Sequence, residues 1–336
     1  MSAVGEWRPT LPPGPPMQSG RGRRSSPLEW RWVDRLALGF AWCAGIGLCL
    51  IAAAIVGYMA YRGIEYLRPQ LLVQRPSIST SQSGSGGFRD ALIGTGILTL
   101  IGIVLAVPLA VGGAIWIAEY GRPTWLARMV ESAIEMVAGT PDIVIALFGL
   151  SIFQLGIFAP FSFKAAGGGV FGKSYIAAGA MMSLIALPPM FTATRDGLQA
   201  VPAHMREAAF ALGKTRIATI RRVLLPSVRS NIATGVTLGV SRIIGDTAII
   251  VLLLGDSLRI DPQGSVPGLG VLRGTGSTLT SYVYNNSPAG EGAAPQKAYA
   301  AAFVLLIFVL VLNLIVDRIG RSQADSTGMT VAGAVV

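Results

Sequence analysis

Charged residues are scarce in this chain. Only 13% of its 336 residues are Asp, Glu, Lys or Arg, whereas an average soluble domain carries about 25%. Hydrophobic residues make up 52% of the chain, and the mean hydropathy is +0.58. Because a water-facing surface needs charge in proportion to its area, this shortage excludes a cytosolic enzyme, a disordered protein and a disulfide-framed secreted module.

Cysteine and histidine are also nearly absent. Cys43 and Cys49 lie six positions apart in one apolar stretch, which separates them by about 240° around a helix, so we expect no disulfide. The single histidine, His204, is expected in solvent, and it leaves no His-based metal cluster or Ser-His-Asp triad. We therefore predict no catalytic residue, no metal site and no cofactor in this chain.

Long apolar runs fill most of the sequence. Leu36–Tyr61 and Ala91–Ala118 carry no charge over 26 and 28 residues, more than the roughly 20 residues that span a bilayer core. Four further apolar segments are Glu135–Phe163, Tyr175–Thr194, Ser230–Gly255 and Ala298–Val316. Since the alternating strands of a membrane barrel are missing, these runs predict an all-α, polytopic integral membrane protein with six transmembrane helices.

The first 33 residues differ in composition from the rest. They hold six prolines and the basic patch Arg21, Arg23 and Arg24, without a periodic apolar pattern. This composition predicts a disordered tail. Because the segment also lacks an apolar signal-peptide region, we expect no cleavable signal peptide.

Positive charges are distributed unevenly between the two sides of the predicted membrane. Of the 27 lysines and arginines, 17 fall on the side of the two termini and nine on the opposite side, and Arg242 lies within a span. Cytoplasmic loops of membrane proteins are enriched in Lys and Arg, so both termini are predicted to be cytoplasmic. The net charge of +10 is then explained by topology, which argues against a nucleic-acid partner.

One segment matches a phosphate-binding motif by letter. Residues 167–174 read Gly-Gly-Gly-Val-Phe-Gly-Lys-Ser, which fits the pattern GxxxxGK[ST]. That motif needs a strand before the loop and a helix after it. Here two membrane helices flank the segment, and the predicted side is external. We interpret it as a turn of small residues and predict that this chain does not hydrolyse ATP.

The predicted cytoplasmic loop over residues 195–229 has helical character. It contains Glu207, Ala208 and Ala209, followed by Gly213. We expect a short helix with its acid near the start, where the helix dipole favours it, and a left-handed turn at Gly213 that ends the helix. A second, basic segment carries an apolar stripe formed by Ile217, Ile220, Val223 and Leu224. From the residues alone, two interpretations of this loop remain open: a helix that docks onto a partner, and an interfacial helix that merely anchors the loop.

The spacing in this loop resembles the EAA loop of ABC-importer permeases. The match consists of Glu207, Ala208, Ala209 and Gly213, with Leu225-Pro226 some eleven residues further on. The resemblance implies that this loop docks into a groove of a cytoplasmic ATPase subunit. It also implies the fold of a type I ABC importer permease, also described as MetI-like.

Several further motifs resemble the PstA-type permease subunit of phosphate-specific ABC importers. They are Gly86-Gly87-Phe88 with Ala91, Ile93, Gly94 and Thr95; Ile117–Tyr120; Glu135–Pro141; Leu147-Phe148-Gly149; and Arg242–Ala248. The resemblance implies a multi-pass subunit of the plasma membrane that translocates inorganic phosphate. It implies three partners, which are a second, PstC-like permease, a dimer of PstB-like ATPase subunits and an external PstS-like phosphate-binding protein. Membrane lipid would surround the assembly.

These patterns together predict four parts of the chain. They are a disordered, Pro/Arg-rich cytoplasmic tail over residues 1–33, an N-terminal transmembrane helix over residues 34–62, a permease transmembrane domain over residues 86–320 and a C-terminal tail over residues 321–336.

Arg242 and Asp246 are the candidate anion-path charges. In a continuous helix, positions i and i+4 share one face, and a charge at membrane depth costs at least ~2.5–3.5 kcal/mol. An arginine offers a planar, permanently charged fork that suits a phosphate oxyanion. Asp246 would hold that fork, where the resemblance implies a Glu. The alternative is a structural ion pair that lets the segment insert.

Thr192 and Asp142 depart from the PstA-like pattern. The pattern has an arginine at the place of Thr192, and a Ser at the place of Asp142. These two changes remove one arginine from the candidate path and add one acid to it, with Arg195 as a candidate substitute one turn away. Transport of an oxyanion different from phosphate therefore stays open. The sequence is also compatible with an ion-coupled secondary transporter and with a structural or regulatory membrane subunit.

Overall fold

The structure is a computed structural model of the full chain. It describes residues 32–76, 86–121, 124–165, 168–255, 257, 259–260, 262–263, 269–288 and 295–325. Most of the predicted N-terminal tail, residues 77–85 between the first two apolar runs and the C-terminal residues 326–336 lie outside the described residues.

The described residues are almost entirely helical, as predicted. The α-helices are α1 (Trp32–Tyr66), α2 (Pro69–Val73), α3 (Arg89–Ile115), α4 (Thr124–Gly139), α5 (Asp142–Gln154), α6 (Tyr175–Ala200), α7 (Ala203–Ala211), α8 (Arg216–Thr219), α9 (Leu225–Ser227), α10 (Arg229–Gly245), α11 (Leu269–Arg273), α12 (Leu279–Asn286) and α13 (Pro295–Asp325). Wider π-helical turns occur at Trp116–Tyr120, Ile220–Leu224 and Ile250–Leu254, and a 3-10 turn at Ala159–Phe161. The β pairing within the described residues is a single bridge between Lys164 and Val170.

The chain divides into two units, residues 1–56 and residues 57–336. In the first unit, the described part of α1 is apolar, and none of its described side chains is buried. Cys43 and Cys49 are free and exposed there. So much exposed apolar surface on one helix is suited to lipid rather than to water.

The core of the second unit forms around α6. This helix packs against α3, α10, α4 and α5, and 14 of its 26 residues are buried. Small residues allow the close approach: a Cβ at Gly102 of α3 would lie only 2.8 Å from Cδ1 of Ile243 on α10. Glycine at such positions lets membrane helices pack backbone to backbone.

Within the described residues, four helices are long and apolar enough to cross a membrane, namely the spans Asp34–Tyr66, Arg89–Tyr120, Tyr175–Ala200 and Pro295–Gly320. The predicted third span is broken into α4 and α5, which are bent by 108°, and it counts as a fifth crossing only if the bent pair is one span. The predicted fifth span is also discontinuous, because α10 ends at Gly245 after 17 residues. Both breaks follow a glycine, which weakens helix propagation.

Two segments outside the predicted membrane spans contain helices. The segment 256–297, between the fifth and sixth apolar runs, includes α12, whose first turn is stabilised by a capping box between Thr278 and Ser281. Leu279 and Tyr282 of α12 form a second small core with Phe88. In addition, α13 continues to Asp325, so the first residues of the predicted C-terminal tail are helical.

Candidate functional site

The two helix breaks meet at an ion pair. Asp142 is the first residue of α5 and follows the bend at Pro141, while Arg242 lies in the last turn of α10. Nη2 of Arg242 donates to Oδ1 of Asp142 at 2.9 Å and to Oδ2 at 3.3 Å. The acid that the sequence marked only as an extra charge is therefore the partner of the arginine.

This ion pair is accessible and leaves part of the arginine uncommitted. The side chains of Arg242 and Asp142 are 47% and 30% exposed. Both contacts use one nitrogen, Nη2, and within the described part of the chain no hydrogen bond engages Nη1 or Nε of Arg242. Because a guanidinium presents five N–H donors, the donors on Nη1 and Nε remain available to a second oxyanion.

Asp246 has a different role from the predicted one. It follows the end of α10 in an extended conformation (φ −76°, ψ 139°), so the prediction that it shares a helix face with Arg242 is wrong. Its Oδ2 instead accepts a hydrogen bond of 2.9 Å from the backbone N–H of Ile249. An aspartate in this position satisfies an orphan N–H at the start of the next helical turn, as an N-cap does.

Thr192 and Arg195 lie on α6 and are engaged locally. The hydroxyl of Thr192 is exposed but donates within its own helix, to the carbonyl of Pro188 at 3.0 Å. Arg195 forms an ion pair with Glu131 of α4 at 3.2 Å. Among the described residues, neither side chain makes a hydrogen bond to Arg242, so the structure brings Arg242 together with Asp142 rather than with the other predicted path residues.

The EAA-like sequence forms α7, as expected from its composition. Glu207 and Ala208 are exposed, and Ala209 is buried. Gly213 has a φ of +72°, and its N–H donates to the carbonyl of Phe210 at 2.9 Å. The predicted left-handed turn is therefore confirmed. The predicted position of the acid is wrong, because Glu207 is the fifth residue of α7 and its first turn holds no acid.

The surface around α7 carries large exposed apolar side chains. Phe210, Leu212 and Ile217 are 44%, 78% and 71% exposed. In the predicted stripe, Ile220 and Leu224 are buried, whereas Ile217 joins the surface group. Isolated apolar side chains are ordinary on surfaces, but a group beside an exposed helix is typical of an interaction site.

Arg206 connects three parts of this region, and sequence reasoning did not identify it. Its Nε donates to Oε1 of Glu119 at 2.9 Å, its Nη1 to the carbonyl of Val201 at 2.9 Å and its Nη2 to the carbonyl of Leu198 at 2.8 Å. The Glu119 side chain is only 8% exposed. Two signals were available, because Arg206 directly precedes Glu207, and Glu119 lies in one of the PstA-like motifs.

Arg216 of α8 makes a second connection to the same helix end. Its Nη1 donates to the backbone carbonyl of Glu119 at 3.2 Å, and its guanidinium lies 5.1 Å from the ring centroid of Tyr120. A cation over an aromatic face is attracted by the ring quadrupole. The loop that carries α7 and α8 is thus joined twice to the π-helical turn that ends α3.

The described part of the phosphate-loop-like segment has no phosphate-binding geometry. Lys164 and Val170 form an antiparallel bridge instead of a strand that leads into a helix. The hydroxyl of Ser174 accepts a hydrogen bond from the N–H of Ala177 and donates to the carbonyl of Phe161. Ser174 therefore caps α6, which supports the interpretation as a turn between helices.

Comparison with protein families decides what class of protein this is. Residues 102–325 match the family described as "Binding-protein-dependent transport system inner membrane component". The chain belongs to this family. It is a multi-pass membrane permease subunit of an ABC importer, and ATP hydrolysis resides in separate subunits of such systems. Membership also removes the basis for an ion-coupled secondary transporter.

Curated relatives extend along most of the chain. It is 30% identical over 301 residues to "Probable ABC transporter permease protein YqgI" of Bacillus subtilis, covering 86% of this chain and 95% of the relative. It is 32% identical to "Phosphate transport system permease protein PstA 1" of Mycobacterium tuberculosis, covering 68% of each protein. A PstC permease of Xylella fastidiosa is 29% identical and covers 71% of this chain and 76% of the relative. The resemblance to PstA-type permeases is thereby confirmed.

Solved structures confirm the fold. The chain resembles a subunit in the crystal structure of a bacterial ABC transporter involved in the import of the acidic polysaccharide alginate, with a TM-score of 0.54 and 16% identity, over 86% of this chain and 99% of that chain. A second structure of a bacterial alginate ABC transporter, in complex with an alginate pentasaccharide-bound periplasmic protein, gives a TM-score of 0.55 with 15% identity over 90% and 99% of the two chains. At this identity, the likeness is one of fold.

Proposed function

We propose that this chain is the PstA-like permease subunit of an ABC importer for inorganic phosphate. The observation that carries the proposal is the accessible guanidinium of Arg242, which lies where two interrupted helices meet and keeps its Nη1 and Nε donors uncommitted. Discontinuous helices are a recurring way to place polar groups at membrane depth. The phosphate names of relatives at about 30% identity support the choice of anion.

In this proposal, Arg242 makes a transient contact with the anion during its passage. The anion approaches an N–H donor on Nη1 or Nε of Arg242, neither of which is used by Asp142, and Asp142 competes with the anion for the positive charge. Thr192 and Asp246 line the same path. Asp246 contributes mainly by capping the helical turn that follows Arg242, because its Oδ2 accepts the Ile249 N–H.

The proposed assembly has four kinds of subunit. A second, PstC-like permease completes the pathway, and an external phosphate-binding protein delivers the anion. A dimer of ATPase subunits binds at the EAA-like segment, where Glu207 and Ala208 are exposed, Ala209 packs inward and Gly213 ends the helix. Both termini are cytoplasmic, in keeping with the excess of arginine on that side. The exposed group Phe210, Leu212 and Ile217 supplies apolar contact area for the ATPase.

Uptake by the reconstituted transporter tests the role of Arg242. Arg242→Gln is expected to lower ATP-driven phosphate uptake by at least tenfold, about 1.4 kcal/mol, because it removes the charge-assisted contact. Arg242→Lys keeps the charge without the planar fork, and its uptake rate is expected to lie between those of the parent and of Arg242→Gln. The control is Arg62→Gln, which removes an exposed arginine paired with Glu65 at 3.4 Å. Full uptake by Arg242→Gln would refute the contact.

Another oxyanion is the second candidate substrate, and the Asp142–Arg242 pair favours considering it. An acid beside the arginine reduces the net positive charge that a phosphate dianion would meet. Competition among phosphate, sulfate, arsenate and molybdate in the same uptake assay separates the candidates. Stronger competition by sulfate or molybdate than by unlabelled phosphate would reassign the substrate and leave the importer itself intact.

A further inference from the structure

Two membrane helices end at the same place beside α7. The helix α3 ends through its π-helical turn at Tyr120, and α6 ends at Ala200. The last carbonyls of a helix have no partner within the helix, and the helix dipole concentrates negative charge there. Glu119 adds a nearly buried carboxylate to this group. A buried anion beside two negative helix ends needs a cation that can reach all of them.

Arg206 meets that need with three different nitrogens. Nε binds the Glu119 carboxylate, while Nη1 and Nη2 bind the carbonyls of Val201 and Leu198 at the end of α6. Each contact is 2.8–2.9 Å long. A lysine has a single ammonium and cannot place three donors along a planar fork. The geometry is therefore specific for arginine.

Of the contacts made by Arg206, the one with Glu119 at the end of α3 joins elements that the backbone does not already connect. The helix α7 follows α6 after two residues, so the backbone already couples these two helices. By contrast, α3 is 87 residues away from Arg206 in sequence at Glu119. The contacts from Arg206 of α7 and Arg216 of α8 join this loop to the end of α3 across that separation.

The helix α3 leads from this joint towards the candidate anion path. Gly102 of α3 packs against Ile243 of α10, and Ile243 is the neighbour of Arg242. Gly102 and Glu119 are 17 residues apart, which corresponds to about 25 Å along a helix. A continuous helical segment, made of α3 with Pro108 inside it and the π-helical turn at Trp116–Tyr120, thus joins the surroundings of α7 to the element that carries the candidate anion contact.

We propose that the Arg206–Glu119 pair is the joint that transmits movement of α7 to α3 and, through α3, to the end of α10. Arg206 and Glu119 are positioning residues, since neither touches ATP or the anion. The inference rests on the proposed docking of the ATPase at α7, but it does not depend on which anion is transported. Energetic coupling between distant sites typically amounts to about 5- to 150-fold.

The test follows a reporter cysteine at the end of α10 in the complete, reconstituted transporter. Gly245→Cys is introduced after Cys43→Ser and Cys49→Ser, because Gly245 is exposed and has open space around it. Labelling by a membrane-impermeant maleimide is compared without nucleotide and with ATP plus vanadate. The parent is expected to show a clear change in labelling rate upon nucleotide trapping, and this readout needs no transported substrate.

Glu119→Gln and Arg206→Lys are then added separately and together. Each single variant is expected to reduce the nucleotide-dependent change by about tenfold, within the usual range of coupling, while the ATPase still co-purifies. The double variant is expected to be no worse than either single one, because both break the same joint. The matched control pair is Arg62→Gln and Glu65→Gln, which breaks an exposed ion pair and is expected to leave the change intact.

The proposed joint would be contradicted if Glu119→Gln kept the full nucleotide-dependent change in labelling rate. It would also be contradicted if the effects of Glu119→Gln and Arg206→Lys multiplied in the double variant. Failure of the underlying docking role gives a different result. In that case Phe210→Asp, which alters the exposed face of α7, would leave co-purification of the ATPase unaffected. Arg206→Lys guards against simple misfolding, because it retains the charge opposite Glu119.

Discussion

Two arginine–carboxylate pairs in this permease have the same contact distance and opposite surroundings. Arg242 and Asp142 meet at 2.9 Å with side chains 47% and 30% exposed. Arg206 and Glu119 also meet at 2.9 Å, but their side chains are 23% and 8% exposed. The first arginine uses one nitrogen on one partner, whereas the second uses three nitrogens on three acceptors.

The difference separates a pair that can be exchanged from one that is fixed. An exposed ion pair contributes about 0–1 kcal/mol, so an incoming anion can displace Asp142 from Arg242 at little cost. Removing one partner of a buried pair costs about 3–5 kcal/mol, because an uncompensated charge stays behind. The proposed anion contact at Arg242 and the proposed joint at Arg206 therefore use the same residue types and differ in burial.

The largest expected effect comes from reversing the buried carboxylate. Glu119→Lys places a second positive charge beside Arg206 at a position where the native side chain is only 8% exposed, and it is expected to destabilise the transporter by about 3–5 kcal/mol. The measurement is the melting temperature of the purified complex in detergent, together with the yield of inserted protein. We expect a large drop in both.

The matched change at the other pair is Asp142→Lys. Because this pair is exposed, the same reversal is expected to cost no more than about 1 kcal/mol of stability. It also removes the carboxylate that competes with the anion for Arg242. Equal losses of melting temperature in Glu119→Lys and Asp142→Lys would show that exposure does not distinguish the two pairs.

Neither pair was predictable from the sequence, although much of the architecture was. The apolar runs and the turn at Gly213 are local properties. They follow from the order of apolar residues along the chain and from the preference of glycine for a left-handed backbone. The ion pairs join residues 100 and 87 positions apart, and local spacing contains no information on such contacts. The error at Asp246 was of another kind, since it assumed a continuous helix. The Gly245-Asp246 step was a usable signal for a helix end followed by an N-cap.

An intermediate effect is expected when Asp142 no longer competes for Arg242. In Asp142→Ser, Nη2 loses its carboxylate partner, so the anion meets a fully available fork. Loss of a competitor worth up to about 1 kcal/mol corresponds to about two- to fivefold tighter anion contact. The readout is the phosphate concentration that half-protects Gly245→Cys from maleimide in the transporter without its binding protein.

Asp142→Glu is the control for that measurement. It retains the carboxylate, so half-protection is expected at close to the parent concentration. Weaker protection by phosphate in Asp142→Ser than in the parent would mean that Asp142 helps to hold the anion site open instead of competing for it. The exposed pair would then resemble the buried one in function.

The smallest expected effect distinguishes a capping role of Asp246 from a charge role. Asp246→Asn keeps an oxygen that can accept the Ile249 N–H, and it is expected to leave the melting temperature and phosphate uptake nearly unchanged. Asp246→Ala removes the cap and is expected to cost about 1 kcal/mol, seen as a modest drop in melting temperature. A severe loss of uptake in Asp246→Asn with normal stability would instead show that the negative charge of Asp246, and not its capping oxygen, acts in the anion path. Both Asp142 and Asp246 would then interact with Arg242 through their charges, and the Asp142–Arg242 ion pair would represent only one of the states in the transport cycle.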